Sequence, residues 1–316
     1  GQAPRTVVAT YNTRMPSTLS DWLAFIEQQH PQHIELGLDR VRTVAQRMGL
    51  RHPAPHVITV AGTNGKGSTV AFIEAIARAQ GLRVGAYTSP HLHRYNERVR
   101  IDAVDASDAT LVEGFNAVEQ ARDTTPLTYF EYGTLCAWEV FAKQPLDAII
   151  LEVGLGGRLD ATNSHDADVA IVTAVDLDHM DYLGPTREEI GFEKAGIFRA
   201  DRPAICGDAD PPASLRDHAR AIGAELQVLG RDFGHARQEQ QWQYWGPGGR
   251  RSGLAFPALR GPRQLDNAAC ALAALDALRG SLPVAMQDIR RGLLTVELAG
   301  RFQVLPGRPT VVLDVA

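Results

Sequence analysis

A glycine-rich segment with one lysine and two hydroxyl side chains is the sharpest chemical feature of the sequence, Ala61-Gly-Thr-Asn-Gly-Lys-Gly-Ser-Thr69. Glycines let backbone N–H groups turn inward around a phosphate, and a following helix adds unpaired donors and its dipole. Lys66 would carry positive charge to the β- and γ-phosphates of a nucleotide, and the hydroxyl of Ser68 or Thr69 could hold Mg²⁺. Gly67 separates Lys66 from Ser68, which departs from the usual phosphate-loop spacing. A plain glycine turn between a strand and a helix is the alternative.

Ionisable side chains gather a hundred residues further on, in Asp176-Leu-Asp-His-Met-Asp181, directly after a predicted strand. Open α/β sheets bind their ligands at the carboxyl ends of strands. Glu152 ends another predicted strand. Carboxylates and an imidazole suit Mg²⁺ or Mn²⁺ beside a triphosphate. A solvated acidic turn is the alternative.

Two further patterns are ambiguous by themselves. Gly154-Leu-Gly-Gly-Arg-Leu159 is similar to a dinucleotide-binding loop, but it lacks the last glycine and no clear helix follows, so NAD binding is disfavoured. Lys194 lies in the last turn of a predicted helix, where a lysine ordinarily only complements the helix dipole.

Alternating strands and helices must position these groups. The patterning predicts strands at 57–61, 83–87, 148–152, 169–173, 203–206 and 226–229. It predicts helices at 19–29, 38–48, 68–80, 107–121, 130–141, 186–195, 211–222, 266–279 and 284–294, with Asp266 as a helix cap. This alternation indicates a doubly wound α/β domain with a mostly parallel sheet. Residues 231–262 predict a small β-meander or hairpin, and 310–315 a further strand.

Composition excludes several classes of protein. The 316 residues are 44% hydrophobic and 22% charged, which is ordinary for a globular protein and argues against disorder, collagen and coiled coil. A net charge of −5 provides no global basic field for nucleic acid or an anionic membrane. No apolar run approaches the ~18 residues of a membrane span, and residues 1–14 lack the apolar core of a signal peptide. Widely separated Cys136, Cys206 and Cys270 predict buried free thiols in a reducing, cytoplasmic setting.

Several segments occur in one order after the phosphate loop: Thr88-Ser-Pro-His91, Arg94-Tyr-Asn-Glu-Arg98, Leu151-Glu-Val-Gly-Leu-Gly-Gly-Arg-Leu-Asp-Ala-Thr-Asn163, Asp178-His-Met-Asp-Tyr-Leu-Gly184 and Glu193-Lys-Ala-Gly-Ile197. Together they closely resemble the folylpolyglutamate synthase/dihydrofolate synthase family, in its bifunctional bacterial form, a branch of the Mur ligase superfamily. The resemblance runs from about Leu19 to the end of the sequence, and the inserted Gly67 is part of it.

The resemblance implies ATP-dependent formation of an amide bond. A carboxylate of dihydropteroate or a reduced folate would attack the γ-phosphate of ATP and become an acyl phosphate. The amine of L-glutamate would then attack the activated carbonyl. Such chemistry depends on charge neutralisation and positioning more than on covalent help from the protein. We also expect a cytoplasmic monomer.

The resemblance also implies roles for individual residues. Lys66, His179 and Lys194 would be catalytic. Two Mg²⁺ ions would lie among Ser68, Ser89, Glu152, His179 and Lys194. Lys194 matches a lysine that is carbamylated in related enzymes, and carbamylation needs a neutral amine with a lowered pKa. Nucleotide contacts would come from Thr63, Asn64, Gly65, Lys66, Gly67, Ser68, Thr69, Asn267, Arg301 and Asp314.

The pterin-side pocket implied by the resemblance consists of Thr128, Phe130, Asp160 and Ala161. An aromatic ring at Phe130 could stack on a flat pterin. The alternative for Phe130 is a ring that fills the core at the start of a helix.

The resemblance divides the sequence into a leader (1–18), a phosphate-loop ATPase and folate-binding domain (19–304), and a linker with the first strand of a C-terminal domain (305–316). The sequence stops just before the position of the family's His-Asn-Pro, so the resemblance implies that the family's smaller Rossmann-like domain is missing from these 316 residues. We therefore expect folate binding, weak ATP binding and little ligase turnover from these 316 residues. Alternatives are a Mur-type ligase acting on a peptidoglycan precursor, a phosphotransferase or phosphohydrolase using Asp178, His179 and Asp181, and a non-catalytic nucleotide-binding module.

Overall fold

The structure is a computed structural model that describes residues 15–30, 34–50 and 52–299, and the backbone of 303–305 and 311–313. Most of the predicted leader and most of the predicted 305–316 segment lie outside these residues. The helices are α1 (Leu19–Glu27), α2 (Asp39–Arg47), α3 (Lys66–Ala79), α4 (Asp108–Arg122), α5 (Tyr129–Ala142), α6 (Met180–Leu183), α7 (Arg187–Ala195), α8 (Ala213–Ile222), α9 (Gln264–Ala277) and α10 (Met286–Thr295). The strands are β1 (Val57–Ala61), β2 (Val84–Tyr87), β3 (Val99–Ile101), β4 (Val104–Asp105), β5 (Ala148–Glu152), β6 (Val169–Val172), β7 (Pro203–Cys206), β8 (Glu225–Val228), β9 (Gly234–Arg237), β10 (Trp242–Gly246), β11 (Gly249–Leu254), β12 (Gln303–Leu305) and β13 (Val311–Leu313).

Eight strands form the central sheet in the order β4-β3-β2-β5-β1-β6-β7-β8. From β2 to β8 every pairing is parallel, whereas β3 and β4 are added antiparallel at one edge. The central strands β1 and β5 are buried along their whole length, as expected for parallel strands covered on both faces. The predicted doubly wound, mostly parallel α/β fold is confirmed.

Alternate residues of one strand pack against different helices. In β5, Ile150 packs in a cluster with residues of α3, α9 and α10. Its neighbours Ile149 and Leu151 pack in a second cluster with residues of α1, α2, α4 and α5. Because side chains alternate across a strand, the sheet separates two apolar layers, and its carboxyl edge is left for a ligand site.

The region after β8 forms the predicted meander, a three-stranded antiparallel sheet in the order β11-β10-β9. Trp242 and Tyr244 of β10 are fully buried in the same cluster as the apolar face of α9. The strand predicted at 310–315 matches β13, which pairs antiparallel with β12. All three cysteines are free and buried, as predicted.

For each helix and strand that was predicted, the predicted and observed ends differ by at most two residues. Two other differences are informative. The edge strands β3 and β4 were not predicted, because they are short and joined by a turn at Asp102 and Ala103, both at positive φ. Asp266 as the cap of α9 is wrong: the helix begins at Gln264, and Asp266 lies in its first turn. There its carboxylate accepts from His235 Nε2 at 2.8 Å. Within the described residues, no helix is long and apolar enough to cross a membrane.

Candidate functional site

The phosphate loop joins β1 to α3 and is held closely from two sides. Gly65 adopts φ +85° at the start of α3, and a Cβ there would lie 2.4 Å from Asn267 Oδ1. A Cβ on Gly62 would lie 1.9 Å from Thr173 Oγ1. These glycines are therefore required both by backbone conformation and by the close approach of Thr173, which follows β6, and of α9.

Lys66 is the first residue of α3, and its ammonium folds back over the loop. Its Nζ donates to the carbonyl of Gly62 at 2.8 Å and to that of Thr63 at 3.5 Å. No side chain caps the helix, so the first N–H groups of α3 face the loop without a capping acceptor. The loop thus presents a lysine cation and helix N–H donors together, which is the arrangement that binds phosphate.

Three other residues in or next to the phosphate loop were predicted to contact the nucleotide, and each has a different environment. The hydroxyl of Thr63 donates to Asp176 O at 3.1 Å and accepts from Asp176 N at 3.0 Å, so it fixes the loop to the segment after β6. The carbonyl of Asn64 accepts from Thr173 Oγ1 at 2.5 Å. Thr69 is fully buried, and its hydroxyl has no hydrogen-bond partner in the described part of the chain.

The first turn of α9 completes this side of the site. Gln264 Nε2 donates to Ser68 Oγ at 3.2 Å, and Asn267 Nδ2 donates to Gln264 Oε1 at 3.2 Å. A cavity of about 770 Å³ borders Asn64, Gly65, Ser68 and Asn267. Gln264 was not predicted as a site residue, and nothing local in the sequence indicates its contact with Ser68. Arg301 and Asp314 lie outside the described residues.

Glu152 and Ser89 come together on the opposite side of the phosphate loop. Glu152 ends β5 with a buried side chain, and its Oε2 accepts from Ser89 N at 3.1 Å. A Cβ on Gly67 would lie 3.9 Å from Glu152 Oε1. A carboxylate is therefore positioned next to the loop, where the metal of a nucleotide complex would need an oxygen ligand.

His179 and its acidic neighbours are more exposed. His179 adopts a left-handed conformation at φ +47° before the short helix α6, and its Nε2 lies 3.7 Å from Asp178 Oδ1. Within the described residues, no group of three or more His, Cys, Asp or Glu side chains could hold a metal ion. The 176–181 segment is therefore no metal centre by itself, and ligands there would have to include hydroxyl, phosphate or water oxygens.

Lys194 is buried rather than solvated at the end of α7, with 3% of its surface exposed. Burial, reinforced by the positive charge of Lys66 and opposed by Asp178, lowers the pKa of Lys194 to about 8. Among the described residues it forms no ion pair. A surface lysine that merely complements a helix dipole would not be buried in this way. The sequence contains only three lysines, and two of them, Lys66 and Lys194, lie in this site.

A second cavity, of about 440 Å³, brings the predicted pterin-side residues together. Thr128, Phe130, Asp160 and Ala161 all line it, and so do Lys66, Ser89 and His179. Arg98 also lines this cavity; its Nε donates to His91 Nδ1 at 2.8 Å, and its guanidinium lies over the rings of Tyr95 and Tyr129. Arg98 belongs to a segment noted in the sequence, but no role was predicted for it.

The Thr128 side chain is occupied by a capping box at the start of α5. Its hydroxyl accepts from Glu131 N at 3.3 Å, while Glu131 Oε2 accepts from Thr128 N at 2.8 Å. Arg40 Nη2 pairs with Glu131 Oε1 at 3.0 Å. The spacing Thr-x-x-Glu is a capping-box signature, so this use of Glu131 could have been found in the sequence.

Phe130 packs into the protein on one side and lines the cavity on the other. Its ring packs against Tyr87 with centroids 5.9 Å apart, and a Cβ on Gly154 would lie 2.6 Å from Phe130 Cζ. The ring is half-buried and borders the cavity. Packing on one side therefore fixes an aromatic surface on the other.

Asp160 organises the loop that forms the floor of this cavity. Its Oδ2 accepts from Gly154 N at 3.1 Å and Leu155 N at 2.9 Å. Its Oδ1 accepts from the backbone N and the hydroxyl of Thr162 at 3.0 and 2.7 Å. With four donors on a carboxylate that is 3% exposed, the side chain serves the loop's backbone first.

We expect Asp160→Asn to destabilise the fold by about 3 kcal/mol, because the new amide would direct N–H groups at buried N–H donors that then lose their acceptor. The free energy of unfolding in urea measures this. Asp166→Asn is the matched control: Asp166 pairs with Arg199 but its side chain is 84% exposed, so its loss should cost less than about 1 kcal/mol. Equal losses in the two variants would contradict this role of Asp160.

The chain is similar to known proteins over most of its length. Residues 60–275 match the family model of the Mur ligase middle domain. The chain is 48% identical over 300 residues to the dihydrofolate synthase/folylpolyglutamate synthase of Escherichia coli (strain K12), covering 95% of this chain and 70% of that protein.

Solved structures agree with the sequence match. E. coli FolC in complex with DHPP and ADP has a TM-score of 0.91 at 48% identity, over 95% of this chain and 71% of that chain. A bifunctional folylpolyglutamate synthase/dihydrofolate synthase with Mn, AMPPNP and L-glutamate bound has a TM-score of 0.88 at 47% identity, again over 95% and 71%. The resemblance seen in the sequence is thus confirmed, and the chain belongs to the dihydrofolate synthase/folylpolyglutamate synthase family of ATP-dependent ligases, within the Mur ligases.

Proposed function

We propose that this chain binds ATP and a pterin-containing acid in an enzyme that adds L-glutamate to dihydropteroate, to reduced folates, or to both. The observation that supports this most is the shared lining of one cavity. Lys66 of the phosphate loop borders the same 440 Å³ space as Phe130 and Ala161. A flat substrate in that space would have its carboxylate end within reach of the phosphate-binding groups.

The proposed reaction begins with a phosphoryl transfer. A carboxylate oxygen of the bound acid attacks the γ-phosphorus of ATP, and ADP leaves, giving an acyl phosphate. Lys66 and the first N–H groups of α3 would hold the negative charge of the phosphates. The amine of L-glutamate then attacks the acyl carbonyl, phosphate leaves, and the amine loses a proton as the amide forms.

Residues on both sides of the phosphate loop fit a divalent metal. Ser68 Oγ lies at the start of α3 and the Glu152 carboxylate lies next to Gly67, so hard oxygen ligands are available where phosphate oxygens and water would complete the coordination. We propose one ion held by Ser68 and Glu152 with Ser89, and a second held by His179 and modified Lys194. Bound there, Mg²⁺ would neutralise charge on the transferring phosphoryl group.

The proposed activity also depends on a part of the enzyme beyond these 316 residues. The E. coli relative is longer, and 70% of it is covered by the match. We propose that residues 19–304 form one ATPase domain and that turnover requires a C-terminal domain, so that the 316-residue chain releases little ADP by itself. A monomer in the cytoplasm remains our proposal, and the three free buried cysteines are compatible with a reducing compartment.

The substrate side of the proposal is tested by dihydropteroate binding. We expect Phe130→Ala to weaken binding of 7,8-dihydropteroate by about tenfold, because an offset-stacked aromatic pair and the buried ring area are lost. Calorimetric titration of the 316-residue chain measures the dissociation constant. Phe192→Ala, which removes an exposed ring on α7, should leave it unchanged. Failure of dihydropteroate to bind the unaltered chain would contradict dihydropteroate as a substrate. Equal binding by Phe130→Ala would contradict the proposed role of this ring.

A further inference from the structure

A buried ion pair connects the phosphate-loop helix to the loop that carries Ser89. Glu74 lies in α3, two turns after the phosphate loop, and its side chain is only 6% exposed. Arg100 of β3 donates from Nη2 to Glu74 Oε2 at 3.0 Å and from Nε to both carboxylate oxygens at 3.3–3.4 Å. A carboxylate buried on a helix is costly unless it is paired, so this contact fixes where β3 lies against α3.

The other arm of the Arg100 guanidinium binds both ends of the Ser89 loop. Nη1 donates to Thr88 Oγ1 at 3.0 Å and to the carbonyl of Glu97 at 3.1 Å. Thr88 directly precedes Ser89, and Glu97 closes the loop. Four of the five guanidinium N–H groups are thereby used within the protein, which leaves Arg100 little capacity to bind a substrate directly.

Within the loop, the side chain of Glu97 restrains three more residues. Its carboxylate accepts from the backbone N–H groups of Leu92, His93 and Arg94 at 2.7–2.8 Å. At the start of the loop, Ser89 N donates to Glu152 at 3.1 Å. The loop is therefore held at its start, at its turn and at its end, and Arg100 joins two of these points to α3.

We propose that Glu74 and Arg100 are positioning residues that hold Ser89 at a fixed place relative to Ser68 and the phosphate loop. The inference rests on the proposed function, in which Ser68 and Ser89 hold the metal of the nucleotide complex. In this proposal, one planar guanidinium sets the distance between the hydroxyls of Ser68 and Ser89, which belong to different elements and would both bind the metal. Lysine cannot replace it, because one ammonium cannot span Glu74, Thr88 and Glu97 in this fork geometry.

Arg100→Lys tests the proposal, since lysine retains the charge opposite Glu74. The affinity of AMPPNP for the 316-residue chain is measured with Mn²⁺ and with EDTA. We expect Arg100→Lys to reduce the gain in affinity due to Mn²⁺ by about tenfold, the usual cost of losing support behind a metal ligand, while the affinity in EDTA stays within about twofold. Thr88→Val should show a smaller loss in the same direction, and the double variant should match Arg100→Lys alone.

Arg251→Lys is the matched control. Arg251 pairs with Asp276 between β11 and α9, and the two side chains are 18% and 5% exposed, against 15% and 6% for Arg100 and Glu74. This variant should lower thermal stability to a similar extent without changing the Mn²⁺-dependent gain. Equal effects of Arg100→Lys and Arg251→Lys on that gain would overturn the proposal.

Hydrogen exchange tests, without any nucleotide, whether Arg100 holds the Ser89 loop against α3. Backbone amides of residues 88–98 should exchange at least about tenfold faster in Arg100→Lys than in Arg251→Lys, because the loop loses its connection to α3. Unchanged protection of this segment overturns the inference whatever the nucleotide titrations show. Absence of any Mn²⁺-dependent gain in the unaltered chain would instead contradict the proposed function.

Discussion

Replacing Lys66 with methionine should reduce glutamate-dependent ADP release by about 1,000-fold in a complete enzyme. The complete enzyme is a fusion of this sequence with the C-terminal segment of the E. coli relative. The Lys66 ammonium already lies inside the phosphate loop, 2.8 Å from the carbonyl of Gly62. A preorganised cation of this kind stabilises charge that develops in phosphoryl transfer, and losing one such group costs about 3–4 kcal/mol of transition-state stabilisation. Methionine preserves the length of the side chain and its packing.

Lys143→Met is the control for Lys66→Met. Lys143 is the third lysine of the sequence; it is half-exposed and pairs with Glu139 on the surface of α5. Its replacement should leave ADP release within about twofold. If Lys66→Met unfolds at a similar temperature and releases ADP nearly as fast as the unaltered enzyme, then Lys66 does not take part in the reaction.

Replacing Lys194 with methionine should lower activity by about 100-fold, because a metal ligand would be lost. The proposed modification joins the neutral amine to CO₂ with release of a proton, which converts a cation into a carboxylate-like anion. With a pKa of about 8, Lys194 would be roughly one-tenth neutral at pH 7 and half neutral at pH 8. At a fixed concentration of dissolved CO₂, the modified fraction should therefore rise from pH 7 to pH 9.

Carbon NMR after addition of ¹³C-bicarbonate measures this modification directly. Lys143 is a suitable comparison, because its hydrogen bond to Glu139 raises its pKa and keeps the amine charged. The α-amino group also reacts, so the Lys194 signal is the resonance that disappears in Lys194→Met and persists in Lys143→Met. A spectrum identical in the two variants, or activity retained without Lys194, would show that the carbamate does not form or does not matter.

Much of the fold follows from patterning that is local in the sequence. The bounds of β1 and β5 were predicted to the residue, because each is a mostly apolar run between polar or glycine-containing segments. The phosphate loop was recognisable from its glycines, Lys66 and Ser68, since the chemistry of binding phosphate restricts residue types over a short stretch.

The missed features depend on contacts between distant segments. Gln264 reaches Ser68 across 196 positions of sequence, and a glutamine near the start of a helix carries no local sign of that contact. Glu74 lies within a helix whose charged residues would ordinarily be read as solvated; only the fold places Arg100 opposite it. The expected cap at Asp266 failed for a similar reason, because its carboxylate is used by His235 from the small sheet.

The resemblance predicted the group of pterin-side residues, and the structure adds a physical reason for the positions of Thr128 and Asp160. Thr128 begins α5 with a capping box, and Asp160 ties the loop after β5 through four donors. Both side chains are largely consumed by backbone groups. Recognition of a flat ring would then fall mainly to Phe130 and to the backbone that Thr128 and Asp160 hold in place.

ADP release by the complete enzyme, with 7,8-dihydropteroate and L-glutamate added separately and together, tests the central claim most directly. The proposed acyl-phosphate route predicts sustained release only when both substrates are present, and loss of that release in Lys66→Met. Release that needs no pterin acid, or phosphoryl transfer that continues unchanged without glutamate, would contradict it.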